Sequence, residues 1–338
     1  MAAPDDTVEV ARNGDVILVC GGGDSVGKII KIVASSAILS QGSSVFASML
    51  SPHFKEGSTL SRDSQVTVPF PEDDPDSMVV LCKVLHMRYN MKIENMSPSG
   101  ILQLGVVVDK YDCLVAMSAL PYYWINKQSA RTDGHSRAML FVASFLFKEP
   151  ETFQRLGYDL QMNTVESAEI DLKAEHHPDT TGKLLDQLQN NRKTLAKVLT
   201  DTIEKSMFRE CNGYNSSVEG CQPGCRYLSL RGVSFVRRLE SSKIPPVGTI
   251  SLRQLGAICD ELRKFGTGWI SQDTTCSPRY PKRCVGAIMT TTSEVANMFR
   301  ARADEVERSV IRPCLECVVA GDCEQPVVKC NKGHAIWV

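Results

Sequence analysis

The chain has no apolar run long enough to cross a bilayer. Its longest mostly apolar stretch, Ala138 to Phe147, is about half of the ~20 residues that a span requires. It also lacks a charge excess, since 38 Lys and Arg face 39 Asp and Glu, a formal charge of −1. No overall basic field therefore draws it onto nucleic acid or anionic lipid. The opening MAAPDDTVEV has neither the basic start nor the apolar stretch of a secretory leader. These absences exclude a membrane protein and a general nucleic-acid binder, and the expected compartment is intracellular, cytoplasmic or nuclear. What is present is ordinary for a folded chain: 43% hydrophobic and 23% charged residues over 338 positions, enough for about two domains.

Cysteine is plentiful and unevenly placed. Of 13 in the chain, only Cys20, Cys82 and Cys113 precede residue 131, and ten lie between Cys211 and Cys330. In a reducing compartment such residues are buried thiols, metal ligands or catalytic groups rather than disulfides. Charge divides at the same place: residues 1–130 carry 10 Lys/Arg against 14 Asp/Glu, and the rest 28 against 25. The polar segment SARTDGHS, with its Asp133-Gly134 turn signal, marks the boundary. The expected organisation is a polar N-terminal segment 1–13, a domain 14–128, a linker 129–137 and a helical, cysteine-rich domain 138–338.

The first domain reads element by element. Val16–Cys20 is a short buried strand, Gly21-Gly22-Gly23-Asp24 is turn chemistry, and Ile30, Ile32 and Ala34 alternate with Lys31 and Val33, predicting a hairpin. Ser36 is placed to cap a helix through Leu39, and Ser43 a second carrying Phe46, Met49 and Leu50, apolar positions on short helices that a lone domain is not expected to cover entirely. Val66, Val68 and Phe70 alternate with Thr67 and Pro69, a third strand whose proline puts it at an edge. Asp74-Pro75 and Ser97-Pro98 are N-caps followed by proline in the first turn. Met78, Leu81, Cys82 and Leu85 then mark one helical face, and Leu104, Val107, Val108 and Tyr111 another. Leu114 to Trp124 predicts one more helix.

Specific words accompany this order: Asp15-Val16, the stretch Ala37 to Leu50 (AILSQGSSVFASML), Phe54-Lys55-Glu56-Gly57, Leu85-His86 and Asp109-Lys110-Tyr111-Asp112-Cys113. Over about residues 14–127 the chain resembles the BTB/POZ domain, and its looser C-terminal half resembles those of the BTB proteins of filamentous fungi. The resemblance implies an α/β domain with a short three-stranded sheet and helices, followed here by a mostly α-helical cysteine-rich domain. It also implies a protein-interaction adaptor rather than an enzyme. Such domains pair with themselves, and in some branches dock the cullin scaffold of ubiquitin ligases. No kelch blade, ankyrin repeat or tandem finger array follows. Two other classes remain as alternatives, a transcription regulator and a P-loop-type nucleotide-binding enzyme.

Several motifs invite chemistry that the residues do not support. Gly22-x4-Gly27-Lys28 is most of a phosphate loop, but position 29 is isoleucine where the Mg²⁺ hydroxyl belongs, and a strand pattern follows instead of a helix. Cys82 and His86 at i and i+4 could be a nucleophile and its base. However, the cysteine sits on an apolar face, where burial raises a thiol pKa. His176-His177 precede Pro178-Asp179, a loop signal. The Asn95 and Asn215 sequons count only in a secreted chain. Arg226, Arg231, Arg237, Arg238 and Lys243 read as a solvated face or partner contact.

In the second half, residues 138–148 and 183–210 have helical apolar spacing, as do Ser251–Phe265 and Ser293–Ile311. Leu184, Leu188, Leu195 and Val198 fit a packed bundle helix. Val295, Phe299, Val306 and Val310 share one face, and Pro313 ends that helix. Cysteines gather where these helices stop. Cys314-x2-Cys317-x12-Cys330-x3-His334 has the spacing of a zinc finger with one histidine replaced by cysteine. Four S/N ligands suit a closed, structural Zn²⁺ site, the alternative being reduced thiols in a frayed C-terminal segment.

Overall fold

Four short segments build one mixed sheet. The structure is a computed structural model. It describes residues 6–23, 28–60, 65–88, 96–118, 120–129, 133–165, 179–212, 226–266 and 281–320. The strands are β1 (Asp6–Glu9), β2 (Val16–Cys20), β3 (Ile30–Ala34) and β4 (Val66–Phe70), in the spatial order β1-β3-β2-β4. β2 and β3 pair antiparallel, with Val16 opposite Ala34 and Cys20 opposite Ile30, so the predicted hairpin is present. Gly21 and Gly22 have φ of +87° and +88°, the left-handed region that favours glycine. β4 runs parallel to β2 and is an edge strand, which accommodates Pro69. Val16, Leu18, Ile32, Val68 and Phe70 all face inward.

Three strands are expected and, among the described residues, four are found. Asp6–Glu9, inside the segment read as polar, adds in parallel to the free side of β3. Its residues are mostly exposed. Backbone hydrogen bonds hold this strand, so it has no apolar alternation for a sequence reading to detect.

Helices α1 (Ser36–Gly42), α2 (Ser44–Met49), α3 (Lys55–Leu60), α4 (Pro75–Leu85) and α5 (Pro98–Lys110) follow in the N-terminal half. The caps at Ser43, Asp74 and Ser97 form as expected, accepting from the amides of Phe46, Ser77 and Gly100. Ser36 does not cap. It is the first residue of α1, and its amide is held by the Asp15 carboxylate at 2.7 Å. The helix expected over Leu114–Trp124 is two, α6 (Leu114–Met117) and α7 (Pro121–Ser129). Pro121 explains the break, since it lacks an amide donor and disfavours a helical residue before it.

The remaining helices are α8 (Gly134–Leu146), α9 (Pro150–Met162), α10 (Asp179–Asn212), α11 (Arg226–Ser241), α12 (Leu255–Lys264), α13 (Pro281–Arg308) and α14 (Leu315–Val319). Asp133, read as part of a turn, caps α8 by accepting from the Ser136 amide at 2.8 Å. The helices on either side of the 129–137 linker share one core. α8 packs closely on α5, where a Cβ at Gly105 would lie 3.2 Å from Leu146. Phe141 of α8 stacks on Phe153 of α9, with ring centroids 4.4 Å apart.

Two apolar cores result. The first runs from the sheet through α9 to Leu188 of α10, and includes Ile311 and Leu315 from the far end of the chain. The second gathers Leu195, Leu199 and Ile203 of α10 with α11, α12 and α13 around the rings of Phe235, Phe265 and Phe299. Val295, Phe299, Val306 and Val310 are all buried, as their spacing predicts. Between the cores sits Gln161, fully buried, whose amide donates to the carbonyls of Gly157 and Ile311 and accepts from the Ile311 amide and Asn191. Arg192, 5% exposed, donates to the carbonyls of Gln161, Ser251 and Arg253. Among the described residues, no helix is long and apolar enough to cross a membrane.

Candidate functional site

The short helices α1 and α2 are held from behind by polar contacts, and this decides which faces they present. Both Asp15 oxygens accept from Ser36, one from its amide and one from its hydroxyl at 2.6 Å. Burial pushes the Asp15 carboxyl upward, but these hydrogen bonds outweigh it and leave its pKa below the ordinary value. Ser43 Oγ accepts from the Phe46 amide and donates to the Tyr111 carbonyl. Behind it, Tyr111 Oη donates to the buried Asp73 carboxylate, whose other oxygen accepts from Lys110 Nζ at 2.7 Å. Burial, and then Asp73, push the Tyr111 phenol well above its usual range.

With the helices fixed this way, Leu39, Phe46 and Leu50 point into the first core, and Phe46 stacks on Tyr111 at 4.7 Å. Phe46, Met49 and Leu50 are the side chains that the sequence suggests a lone domain leaves uncovered. Phe46 and Leu50 are instead buried within the chain, and Met49 packs against them. The exposed apolar side chains here are others: Ile38 on α1 at 37%, Val45 on α2 at 38%, and Phe54 just before α3 at 52%. Ile38 and Val45 are each offset on their helices from a core residue, so the apolar pattern there is wider than the stripe one core requires.

Lys28 stands where a phosphate loop would place its lysine. No helix follows it. Strand β3 begins at Ile30 and directs its backbone to β2 and β1, and Lys28 Nζ pairs with Asp76 at 2.8 Å. Cys82 is fully buried, and burial pushes its thiol far above the usual value. His86 is placed as a structural link. Its Nδ1 donates to the Cys82 carbonyl and its Nε2 accepts from the Ser35 amide at 2.9 Å, tying the end of α4 to the start of α1. Burial lowers its pKa.

The four expected zinc ligands are only partly visible. Cys314 is the N-cap of α14, half-buried, with Sγ 3.0 Å from the Glu316 carboxylate. Cys317 lies three residues on, buried in the first turn of the same helix. Cys330 and His334 lie outside the described residues, as do His176, His177, Asn95 and Asn215. Among the described residues, no group of three His, Cys, Asp or Glu is placed to hold a metal ion. The basic run is partly used for packing. Arg237 is exposed, whereas Arg238 turns its guanidinium over the Phe265 ring at 5.9 Å. Compared with protein-family models, curated proteins and solved structures, the chain matches none.

Proposed function

We propose that the chain is a protein-interaction adaptor that self-associates through its N-terminal α/β unit, in the manner of a BTB/POZ domain. The observation that carries this reading is the exposed apolar set Ile38 on α1, Val45 on α2 and Phe54 just before α3. The contacts from Asp15 and Ser43 hold α1 and α2 in place. Support also comes from the agreement of the family-like words with structural roles: Asp15 on Ser36, Ser43 as a cap, and His86 as a link. In this reading the chain assembles proteins and turns over no substrate. A cullin-type scaffold is the further partner that the resemblance implies.

The test uses the full chain, because a fragment ending near residue 130 would strip α8 from α5. Light scattering at tens of micromolar should give a mass near twice 37.2 kDa, and Ile38→Glu with Val45→Glu should return it to the monomer. A wild-type monomer up to about 100 μM, a dissociation constant too weak for a standing dimer, overturns the reading. Binding of a purified cullin-type scaffold, lost in Phe54→Ala, would support the second partner, and no binding would confine the function to self-association.

The reading carries one metal. Cys314, Cys317, Cys330 and His334 would hold a structural Zn²⁺, and the positions of Cys314 and Cys317 one helical turn apart support it. Metal analysis of untagged protein should find about one zinc per chain, lost in Cys314→Ser plus Cys317→Ser. Less than about 0.2 would leave only thiols.

A further inference from the structure

A half-open cavity of about 350 Å³ lies between α7, α9 and the segment that follows α13. At the low end of ligand-site volumes, it has room for a molecule about the size of one substituted ring. Two features of its wall bear on what it would hold. Arg312 lies over the Tyr158 ring at 5.3 Å and makes no ion pair with a carboxylate among the described residues. Tyr122, on α7, lines the cavity and is 53% exposed.

The remaining charges are accounted for. Arg155 donates to Asn126 and, more distantly, to Asp159. Tyr158 Oη donates to Glu307 at 3.1 Å, and Glu307 is also paired with Arg263. Glu151 is the acid in the wall, outnumbered by the two guanidinium groups. The wall therefore offers the guanidinium of Arg312, which has no carboxylate partner among the described residues, and the rings of two tyrosines. A guanidinium is suited to a planar carboxylate, and tyrosine rings stack on aromatic rings.

We propose that this cavity binds a small aromatic carboxylic acid. The carboxylate meets Arg312, with Arg155 beside it. The ring lies against Tyr158 and Tyr122. This site is separate from the face formed by α1 and α2, and it stands whether or not that face dimerises.

Titration calorimetry on the full chain tests it with 4-hydroxybenzoate and 2-aminobenzoate as probes. Phenol serves as a ring without the anion, and inorganic phosphate as an anion without the ring. Saturable binding with a dissociation constant below about 1 mM is expected for an acid, with phenol and phosphate at least about tenfold weaker. Arg312→Met should weaken binding at least about tenfold. Tyr122→Ala, at an exposed position, should weaken binding without unfolding risk. No saturable binding of either acid by about 10 mM, phosphate binding as tightly as the acids, or acid binding unchanged by both Arg312→Met and Tyr122→Ala, overturns the proposal.

Discussion

The two cores are specified in different ways. Around the first, short elements are each fixed locally, by a cap at Ser43, Asp74, Ser97 or Asp133 and by strands that alternate inward and outward. Around the second, the long helices α10 and α13 present continuous apolar stripes that could slide along one another. There the register is set by polar groups reaching far along the chain: Gln161 to Ile311, and Arg192 to Ser251 and Arg253. A stripe supplies burial, whereas a buried polar group supplies position, because leaving it unpaired is expensive. The comparison teaches that short elements can be placed by their own ends, while long helices need a few distant anchors.

Cutting the anchor should have the largest effect. Arg192→Ala leaves three backbone carbonyls without their donor, and a loss on the order of 3–5 kcal/mol is expected. Calorimetry should then resolve two transitions where the wild type shows one. A single transition with a loss below about 1 kcal/mol would show that the apolar stripes alone fix the register.

Gly157→Ala comes next, since its Cβ would stand 2.7 Å from the Pro313 ring, the contact that seats the segment between α13 and α14 on α9. Overpacking of this kind costs about 1–3 kcal/mol, read as a lowered midpoint in chemical denaturation. An unchanged midpoint would mean that the proline simply moves aside.

Within the first core, Tyr111→Phe keeps the stacking on Phe46 but removes the donor to Asp73. About 1–3 kcal/mol should be lost, because a buried carboxylate loses a hydrogen bond. Tyr111→Phe and Arg192→Ala should add when combined, being in separate networks, and strong non-additivity would dissolve the distinction between the cores.

The smallest effect is that of pH on His86. Burial lowers its pKa in the folded chain, so the neutral form is the one folding favours. Its contribution is therefore complete above the unfolded value of about 6.5 and is lost as pH falls through the lower folded value. Protonation also turns Nε2 from an acceptor of the Ser35 amide into a competing donor. The melting temperature should drop by a few degrees between pH 7 and pH 5 beyond the drop seen in His86→Gln. Equal slopes for the two proteins would remove His86 as the cause.

Much of the first core is legible from residues in order. Asp74-Pro75 and Ser97-Pro98 announce α4 and α5, and the β2–β3 hairpin follows from the glycines and the alternation of Ile30, Ile32 and Ala34. The apolar stripes of α10 and α13 are equally plain. β1 is not, because exposed backbone pairing leaves no pattern. α9 carries a readable signal in Pro150 with Phe153, Leu156 and Leu160, which the surrounding polar residues mask. The outward face of α1 and α2 is misread for a physical reason: spacing shows that Phe46, Met49 and Leu50 share a side, but not how much partner surface awaits them.

Sequence by itself determined the elements that depend on nearest neighbours: capped helices, a glycine hairpin, and an α4 cysteine that is packed rather than reactive. Only the tertiary structure decided what depends on distance in space. It joined α5 to α8 across the linker, so that one core spans the division seen in composition and charge. It placed Ile311 and Leu315 beside residues of the N-terminal half, and gathered Tyr122, Gln154 and Arg312 around one cavity. The reason is that caps, turns and periodicity are set by bonds a few residues long, whereas burial and cavities depend on which distant surfaces meet, and that information is spread over the whole chain.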